Sequence, residues 1–455
     1  MVVMDETRRP VRVPDPSSLP TAPSKPESIR RADEPLTLHL AGPDAAFRRH
    51  LLSGPVVRIG RGDDNDIVLE GEQVSRHHAE IREEADGWTV LDLLSLNHVY
   101  VNGREVTKAS LEPGTIVRFG EWVCVVGRGK ACVGQIEGDL FGSAALESAV
   151  ADLRLAARQP LNVVISGETG TGKELVARAL FRWSQLKGKF VAVNCAALAD
   201  GLVEAELFGH ERGAFTHATS ARPGLVRSAD KGLLFLDEIA ELTLSAQAKL
   251  LRVLEEAEVL PVGASEPVPL ELRVAAATNR DLDAMVAEGT FRADLLARLA
   301  GIVVRMPPLR MRREDILPLF HRFVHKILDR NAPLSPELAE ALTLYAWPGN
   351  VRELRQVASR TAAIRPNERP WRPRDVQLGN ERQRSERSAP ERVDPNSTPR
   401  RRPLERGEVE AALRASNGIV AQAAKRLGVV KQTLYTFIEG NGISLSDFRA
   451  TSREH

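Results

Sequence analysis

The 455-residue chain has three cysteines, no long apolar run and almost no net charge. Cys124, Cys132 and Cys195 form no CxxC pair, and three are too few to staple a chain of this length. That argues against a disulfide scaffold or a zinc ribbon and points to a reducing compartment. No stretch approaches the ~18 uninterrupted apolar residues of a membrane span. The N-terminal MVVMDETRRPVRVPDP is polar and proline-rich where a secretory signal needs an apolar segment, so a soluble, cytoplasmic protein is expected. Lys+Arg 62 against Asp+Glu 61 leaves +1, which removes any global attraction to nucleic acid or acidic lipid but leaves room for a local basic surface. No internal repeat is present, and the length predicts about two to four domains.

What is there divides cleanly. Residues 1–34 carry six prolines, Pro10, Pro14, Pro16, Pro20, Pro23 and Pro26, and no apolar periodicity, so burial cannot offset ordering entropy and a disordered tail is expected. Over 35–128, short apolar runs (LTLHL, PVVRIG, AEIRE, WTVLDLL, VYVNG, WVCVVG) alternate with Gly, Asp and Asn turns, the rhythm of a β-sandwich. Over 134–365, apolar strands (LNVVISG, FVAVNC, LLFLDE, LRVAAATN) alternate with amphipathic helical segments, which predicts a parallel α/β sheet finished by a helical subdomain at about 314–365. Residues 366–403 are rich in Arg, Pro, Glu and Ser and read as a solvated linker. Residues 404–445 return to a helical period punctuated by Gly418 and Gly428, a small all-α domain.

The strongest local signal is Val163-Val164-Ile165-Ser166 running into Gly167-Glu168-Thr169-Gly170-Thr171-Gly172-Lys173, an apolar strand, a glycine-rich turn and then a helix. Backbone N–H groups of such a turn at a helix N-terminus cradle phosphate, and Lys173 reaches the β and γ oxygens of ATP. Glu174 stands where the general motif has a magnesium-binding hydroxyl. The strand Leu233–Leu236 ends in Asp237 and Glu238. Such a pair alone also serves as a helix cap. About seventy residues beyond a phosphate loop, it reads as a magnesium-associated aspartate, acting through water, and a glutamate that polarises the attacking water. Thr278 and Asn279 follow another buried strand and are candidates to touch the γ-phosphate or its water.

With Phe291-Arg292-Ala293-Asp294-Leu295-Leu296-Ala297-Arg298-Leu299 and Trp347-Pro348-Gly349-Asn350-Val351-Arg352-Glu353-Leu354 added, the segment from about 134 to 361 resembles the AAA+ domain of sigma-54-dependent transcription activators, the bacterial enhancer-binding proteins. The strings GETGTGKELVARAL, VNCAAL, ELFGHERGAF, LFLDEI, AATNRDL and WPGNVREL carry the likeness. In that family Glu also follows the P-loop lysine. The resemblance implies a ring-forming ATPase, hexameric when active, using ATP and Mg2+. It also implies Arg292 and Arg298 as arginine fingers offered to a neighbouring subunit, Arg352 as the second sensor, and Asn194 as the residue that restrains the catalytic Glu. The family's GAFTGA loop, which engages sigma-54, is here Gly213-Ala214-Phe215-Thr216-His217-Ala218. His217 replaces the second glycine and its ready access to positive φ. Two readings therefore stay open: activation of sigma-54 RNA polymerase, or a regulator that binds DNA and phosphoproteins without remodelling it.

In the β domain, Ile59-Gly60-Arg61, Asn65-Asp66-Ile67, Ser75-Arg76-His77-His78 and Val101-Asn102-Gly103 resemble, in order, a forkhead-associated (FHA) domain, a phosphothreonine-peptide binder. Exposed Arg, Ser and Asn at loop tips suit an anion, with Arg76 a further candidate beside Ser75. The resemblance implies Arg61 and Ser75 on the phosphate of a phosphothreonine protein, Asn97 on the peptide backbone and His78 as a brace. Leu96 and His98 depart from the family pattern. The C-terminal segment resembles a Fis-type helix-turn-helix, with Lys425 and Arg426 placed for DNA phosphates and Lys431, Gln432, Thr433 and Thr436 facing the major groove. Leu434 and Phe437 would point inward.

Overall fold

The computed structural model describes residues 35–129, 133–198, 202–214, 220–367, 370–379 and 406–416, with single positions 420, 423, 426, 434, 438 and 443 beyond them. The expected tail, the linker from 380 onward, and the DNA-facing Lys425, Lys431, Gln432, Thr433 and Thr436 lie outside the described residues. Two compact units divide at Leu378/Gly379. Among the described residues no helix is long and apolar enough to cross a membrane.

The first unit begins with eleven strands: β1 (Leu36–Ala41), β2 (Phe47–Leu51), β3 (Val56–Gly60), β4 (Ile67–Val68), β5 (Ala79–Glu84), β6 (Gly87–Asp92), β7 (Val99–Val101), β8 (Arg104–Val106), β9 (Lys108–Leu111), β10 (Ile116–Phe119) and β11 (Trp122–Arg128). They form two sheets, ordered β2-β1-β11-β10-β7-β8 and β4-β3-β5-β6-β9. Period-2 alternation builds the core between them. Leu36, Leu38 and Leu40 of β1, Val57 and Ile59 of β3, and Ala79 and Ile81 of β5 all point inward.

A hairpin, β12 (Gly134–Glu137) with β13 (Leu140–Gly142), leads into a five-stranded sheet of β14 (Val163–Ser166), β15 (Phe190–Asn194), β16 (Leu233–Asp237), β19 (Arg273–Thr278) and β20 (Ile302–Arg305). A small hairpin of β17 (Glu258–Val259) and β18 (Val268–Pro269) is inserted before β19. The five strands are all parallel and run in the order β15-β16-β19-β14-β20. Helices Lys173–Ser184 and Leu244–Glu256 are among those covering the sheet faces. Their cover explains why the strands read as unbroken apolar runs.

The helical subdomain, or lid, contains helices Ile316–Leu328, Pro336–Leu344 and Asn350–Ile364. Its core is larger at both ends than the sequence suggests. Leu309 belongs to it, and so do Trp371 and Val376, from the stretch expected to be linker. Trp371 is fully buried, with its indole N–H on Arg365 O at 3.1 Å and its own O accepting from Ser335 N. A lone tryptophan in a polar stretch leaves no periodicity, so composition concealed the anchor.

The sandwich also docks on this lid. Every residue of β11 from Trp122 to Gly127 is buried. The inward set fills the sandwich, while Val123, with Ile116 of β10, joins the lid core of Leu338, Leu342 and Trp347. The unbroken run WVCVVG is the signature of a strand covered on both faces. One ion pair and one ring contact fix the contact's orientation. Arg118 Nε donates to Glu340 at 3.0 Å with both side chains about nine-tenths buried, and Phe47 meets the ring of His321 edge-on at 5.5 Å.

His321 yields a pH prediction. Its Nδ1 accepts from Ala332 N, and burial pushes the imidazole down to about 4. The folded value lies below the unfolded one. Its stabilisation is therefore full above pH 6.5 and lost as pH falls from 6.5 through 4, about 3 kcal/mol in all. Urea unfolding at pH 7 and pH 4 should show that loss in the wild type and a correspondingly smaller one in His321→Gln, which keeps an acceptor but does not titrate.

In the second unit, helix Arg406–Arg414 and the positions Val409, Leu413, Val420, Ala423, Leu434, Ile438 and Ile443 form a small buried cluster. Leu434 points inward as expected, and its described companion is Ile438 at i+4. Phe437 lies outside the described residues. Arg426 is helical and exposed.

Candidate functional site

Because all five strands are parallel, their C-terminal ends share one edge, where open α/β sheets bind ligands. β14 delivers the phosphate loop there, β16 delivers Asp237 and Glu238, β19 delivers Thr278 and Asn279, and β15 delivers Asn194, in register beside Asp237. Residues more than a hundred positions apart become neighbours. Asn279 Nδ2 donates to Thr169 Oγ1 at 3.1 Å, and Gly167 N donates to Thr278 O at 3.1 Å. Thr278 is itself buried, its hydroxyl accepting from Arg280 N.

Gly172 caps the helix Lys173–Ser184 at φ 103°, and Gly170 sits at φ 81°. A Cβ on Gly170 would lie 2.3 Å from Gly349 O, so only glycine lets the lid approach this closely. Lys173 is buried, its ammonium donating to Gly167 O at 2.9 Å and Glu168 O at 3.3 Å. Burial lowers its pKa, the carboxylates of Glu238 and Asp237 pull it back up, and the charge of Arg352 lowers it further. That coupling places the acidic pair and Arg352 electrostatically around the ammonium. Glu238 occupies the left-handed region (φ 53°, ψ 48°) and donates its N–H to Asp237 Oδ1 at 3.1 Å. The chain turns sharply off β16 at this point, a strained arrangement of the kind that concentrates at functional sites.

Other expected residues stand slightly apart. Asn194 is exposed and its side-chain oxygen accepts from Ala196 N at 2.9 Å, capping its own turn. The Glu174 carboxylate is held by Arg178 one turn on, on the helix exterior. Arg292 forks onto Asp294 at 3.0 and 2.6 Å, and Arg298 donates to Leu254 O at 3.2 and 3.0 Å. Both arginines are exposed on the surface beside helix Leu244–Glu256. Gly213 and Ala214 are described, and Phe215, Thr216, His217 and Ala218 lie outside the described residues.

The lid contributes groups that motif reading did not single out. Arg310 makes a two-pronged bond to Glu168 at 2.8 and 2.6 Å, and Asn350 Nδ2 adds a third at 3.1 Å. Together they hold the Glu168 carboxyl down at about 2. In the sequence Arg310 and Arg312 are two of three arginines in LRMRRED and nothing marks them out. Asn350 lay inside a recognised string without an assigned role.

On the sandwich, one loop cluster is braced from within. His78 is fully buried, its Nδ1 accepting from Ser75 N at 3.1 Å and its Nε2 lying 3.3 Å from His98 O. That pairing assigns the proton to Nε2, and burial lowers the pKa, so the ring stays neutral. Leu96 N donates to Ser75 Oγ at 3.1 Å, and Asn97 Nδ2 donates to Gln73 O at 3.0 Å. Leu96 thus braces the serine through its backbone, which any residue type supplies. The guanidinium groups of Arg61 and Arg76 are exposed and make no hydrogen bond or ion pair among the described residues. Two uncommitted cations beside a braced hydroxyl suit a phosphate dianion.

The FHA domain family matches residues 57–120, the sigma-54 interaction domain family matches 140–305, and the AAA+ ATPase lid domain family matches 310–391. The Fis family of bacterial regulatory proteins matches 400–436 and completes the order. The chain belongs to the sigma-54-dependent activators. Within that family it is similar to the regulatory protein AtoC of Escherichia coli, 47% identical over 230 residues, half of each chain. It is also similar to the alginate biosynthesis regulator AlgB of Pseudomonas aeruginosa, 44% identical over 299 residues, 64% of this chain and 65% of AlgB. The chain thus spans about half the length of the first of these relatives. Among solved structures, NtrX from Brucella abortus in complex with ATP is 29% identical and covers 68% of this chain and 70% of its own, with a TM-score of 0.48. The AAA+ lid match reaches residue 391, which agrees with the lid's use of Trp371 and Val376. The motif strings and the helical lid fall within the sigma-54 interaction and AAA+ lid matches.

Proposed function

We propose that the chain is a DNA-bound ATPase that assembles into a hexameric ring, hydrolyses ATP with Mg2+ and activates sigma-54 RNA polymerase under control of a phosphothreonine signal. The observation that carries the reading is the shared sheet edge where Lys173, Asp237, Glu238, Asn279 and the lid's Arg352 converge. ATP with Mg2+ would supply a γ-phosphoryl group whose charge is partly neutralised before attack. Around it, Lys173 and the N–H groups of the glycine turn would hold phosphate oxygens, Asp237 would hold the magnesium ion through water, and Glu238 would take the proton of the attacking water. Asn279 links the end of β19 to the phosphate loop and so is positioned to register the γ-phosphate. The exposed arginines 292 and 298 are available to a neighbouring subunit, where a cation beside the phosphoryl group stabilises transition-state charge. The Arg61, Ser75, Arg76 and Asn97 cluster would take the phosphopeptide, and the C-terminal helices would place the ring on DNA.

Reconstituted transcription with sigma-54 polymerase tests this. Open complex should form with wild type, ATP and a phosphothreonine protein, and the dependence on phosphorylation should disappear in Arg61→Ala, whose peptide affinity should fall about 10- to 100-fold. His217 favours a second reading, a DNA and phosphoprotein binder that does not remodel polymerase. Open complex from His217→Gly but never from wild type would establish that second reading and overturn the first.

A further inference from the structure

Three consecutive carbonyls of the phosphate loop are taken by donors from the lid. Asn350 Nδ2 donates to Thr169 O at 3.1 Å, Arg352 N to Gly170 O at 3.3 Å and an Arg312 guanidinium nitrogen to Thr171 O at 2.9 Å. In a trans peptide the carbonyl of one residue and the N–H of the next point to opposite sides. Holding these carbonyls from the lid side therefore turns the N–H groups of Gly170 and Gly172 the other way, toward the space in front of the helix Lys173–Ser184. The intervening Thr171 N–H bonds at 3.4 Å to Glu168 O. A P-loop needs its amide hydrogens facing phosphate, and here that orientation is imposed from behind.

Arg312 is the strongest of the three donors. It is 1% exposed, and a buried guanidinium is costly unless something holds it. Its acidic neighbour Asp315, fully buried, is 3.4 Å away, a long contact for such a pair. Burial pushes the Asp315 carboxyl up to about 7 against the pull of Arg312, and among the described residues Arg312 Nε and Asp315 Oδ1 have no hydrogen-bond partner. The shortest bond that Arg312 makes is the one to the phosphate loop.

We propose that Arg312 is a positioning residue for phosphate binding: from the lid it holds the Thr171–Gly172 peptide so that Gly172 N–H faces the β-phosphate. It touches no nucleotide itself. The inference rests on the nucleotide site proposed above and adds that the loop's affinity for the β-phosphate is set by the lid. A displacement of the lid, on which the sandwich is docked, would then alter phosphate binding.

The test is fluorescence titration of the full chain with mant-ADP and mant-AMP, comparing wild type, Arg312→Met and Arg312→Lys. Wild type should prefer ADP. Arg312→Met should lose about 10- to 100-fold in ADP affinity, the range expected for a hydrogen bond to a charged group, with AMP affinity unchanged. Arg312→Lys keeps a donor and should lose about three- to tenfold, and it decides the matter if the Met variant fails to fold by circular dichroism. A folded variant with the wild-type ADP/AMP ratio, or an equal loss for both nucleotides, overturns the inference and leaves the site reading intact. A wild type with no preference for ADP overturns both.

Discussion

Glu238→Gln should lower ATP turnover about a thousandfold, the range for removing a positioned general base, while leaving nucleotide affinity within about twofold. The geometry argues for the split between the two effects. Glu238 lies at the end of β16, turned off the sheet through a left-handed residue, while the phosphate contacts come from the glycine turn and Lys173. Glutamine keeps size and hydrogen bonding and removes only the basic oxygen. Its one further effect is on the charge around Lys173, since Glu238 is the larger of two carboxylate influences that raise that ammonium's pKa. Burial already lowers it, so losing Glu238 lowers it further and moves the start of lysine deprotonation to lower pH. Steady-state ATPase rates and mant-ADP titration, measured on one preparation at pH 7, check the prediction. Turnover within tenfold of wild type would remove Glu238 from the catalytic role.

Glu340→Ala should destabilise the first unit by about 3–5 kcal/mol, because it strands the Arg118 guanidinium inside the sandwich–lid contact. Arg118 is held on one side by Glu340 at 3.0 Å and on the other by the ring of Tyr100, whose centroid is 3.9 Å from its Cζ. With both side chains about nine-tenths buried, water cannot take over the carboxylate's role. The pair itself need not be stabilising. Among the described residues Glu340 Oε1 has no hydrogen-bond partner, and desolvating two charges offsets much of their attraction. The double variant Arg118→Met with Glu340→Leu should therefore recover most of the loss, a coupling that a double-mutant cycle reads directly. Urea unfolding followed by tryptophan fluorescence distinguishes the outcomes. In Glu340→Ala the sandwich should melt separately from the lid. A loss under 1 kcal/mol would mean that the apolar contact of Ile116 and Val123 alone holds the domains together.

The nucleotide site was largely legible before the fold was seen, because its chemistry demands residue types at short spacing. A phosphate cradle needs glycines at positive φ next to a lysine, so Gly170, Gly172 and Lys173 appear as one string, and the acidic pair must follow directly on its strand. The FHA loops were legible for a related reason. His78 braces the loop that presents Ser75 from three residues away, Asn65 holds Arg76 O from eleven, and Leu96 braces Ser75 through its backbone N–H. Arg310, Arg312 and Asn350 were not legible in their roles. Each acts across a separation of more than 140 residues, Arg310 on the Glu168 carboxylate and Arg312 and Asn350 on carbonyls, which every residue possesses and no sequence pattern marks.

Taken alone, the sequence determined the order of domains, the strands with their inward faces and the residue types at each loop, because these follow from local periodicity, turn chemistry and short-range motifs. The tertiary structure decided what comes together across long separations. It ordered the five parallel strands so that Lys173, Glu238 and Asn279 share an edge. It buried both faces of β11 and drew Trp371 out of an apparent linker into the lid. It also placed a buried arginine behind the phosphate loop. The physical reason is common to all of these: burial and hydrogen bonding are satisfied between surfaces that meet only when the chain has folded, and near-zero net charge or a proline-rich stretch records nothing of which surfaces those are.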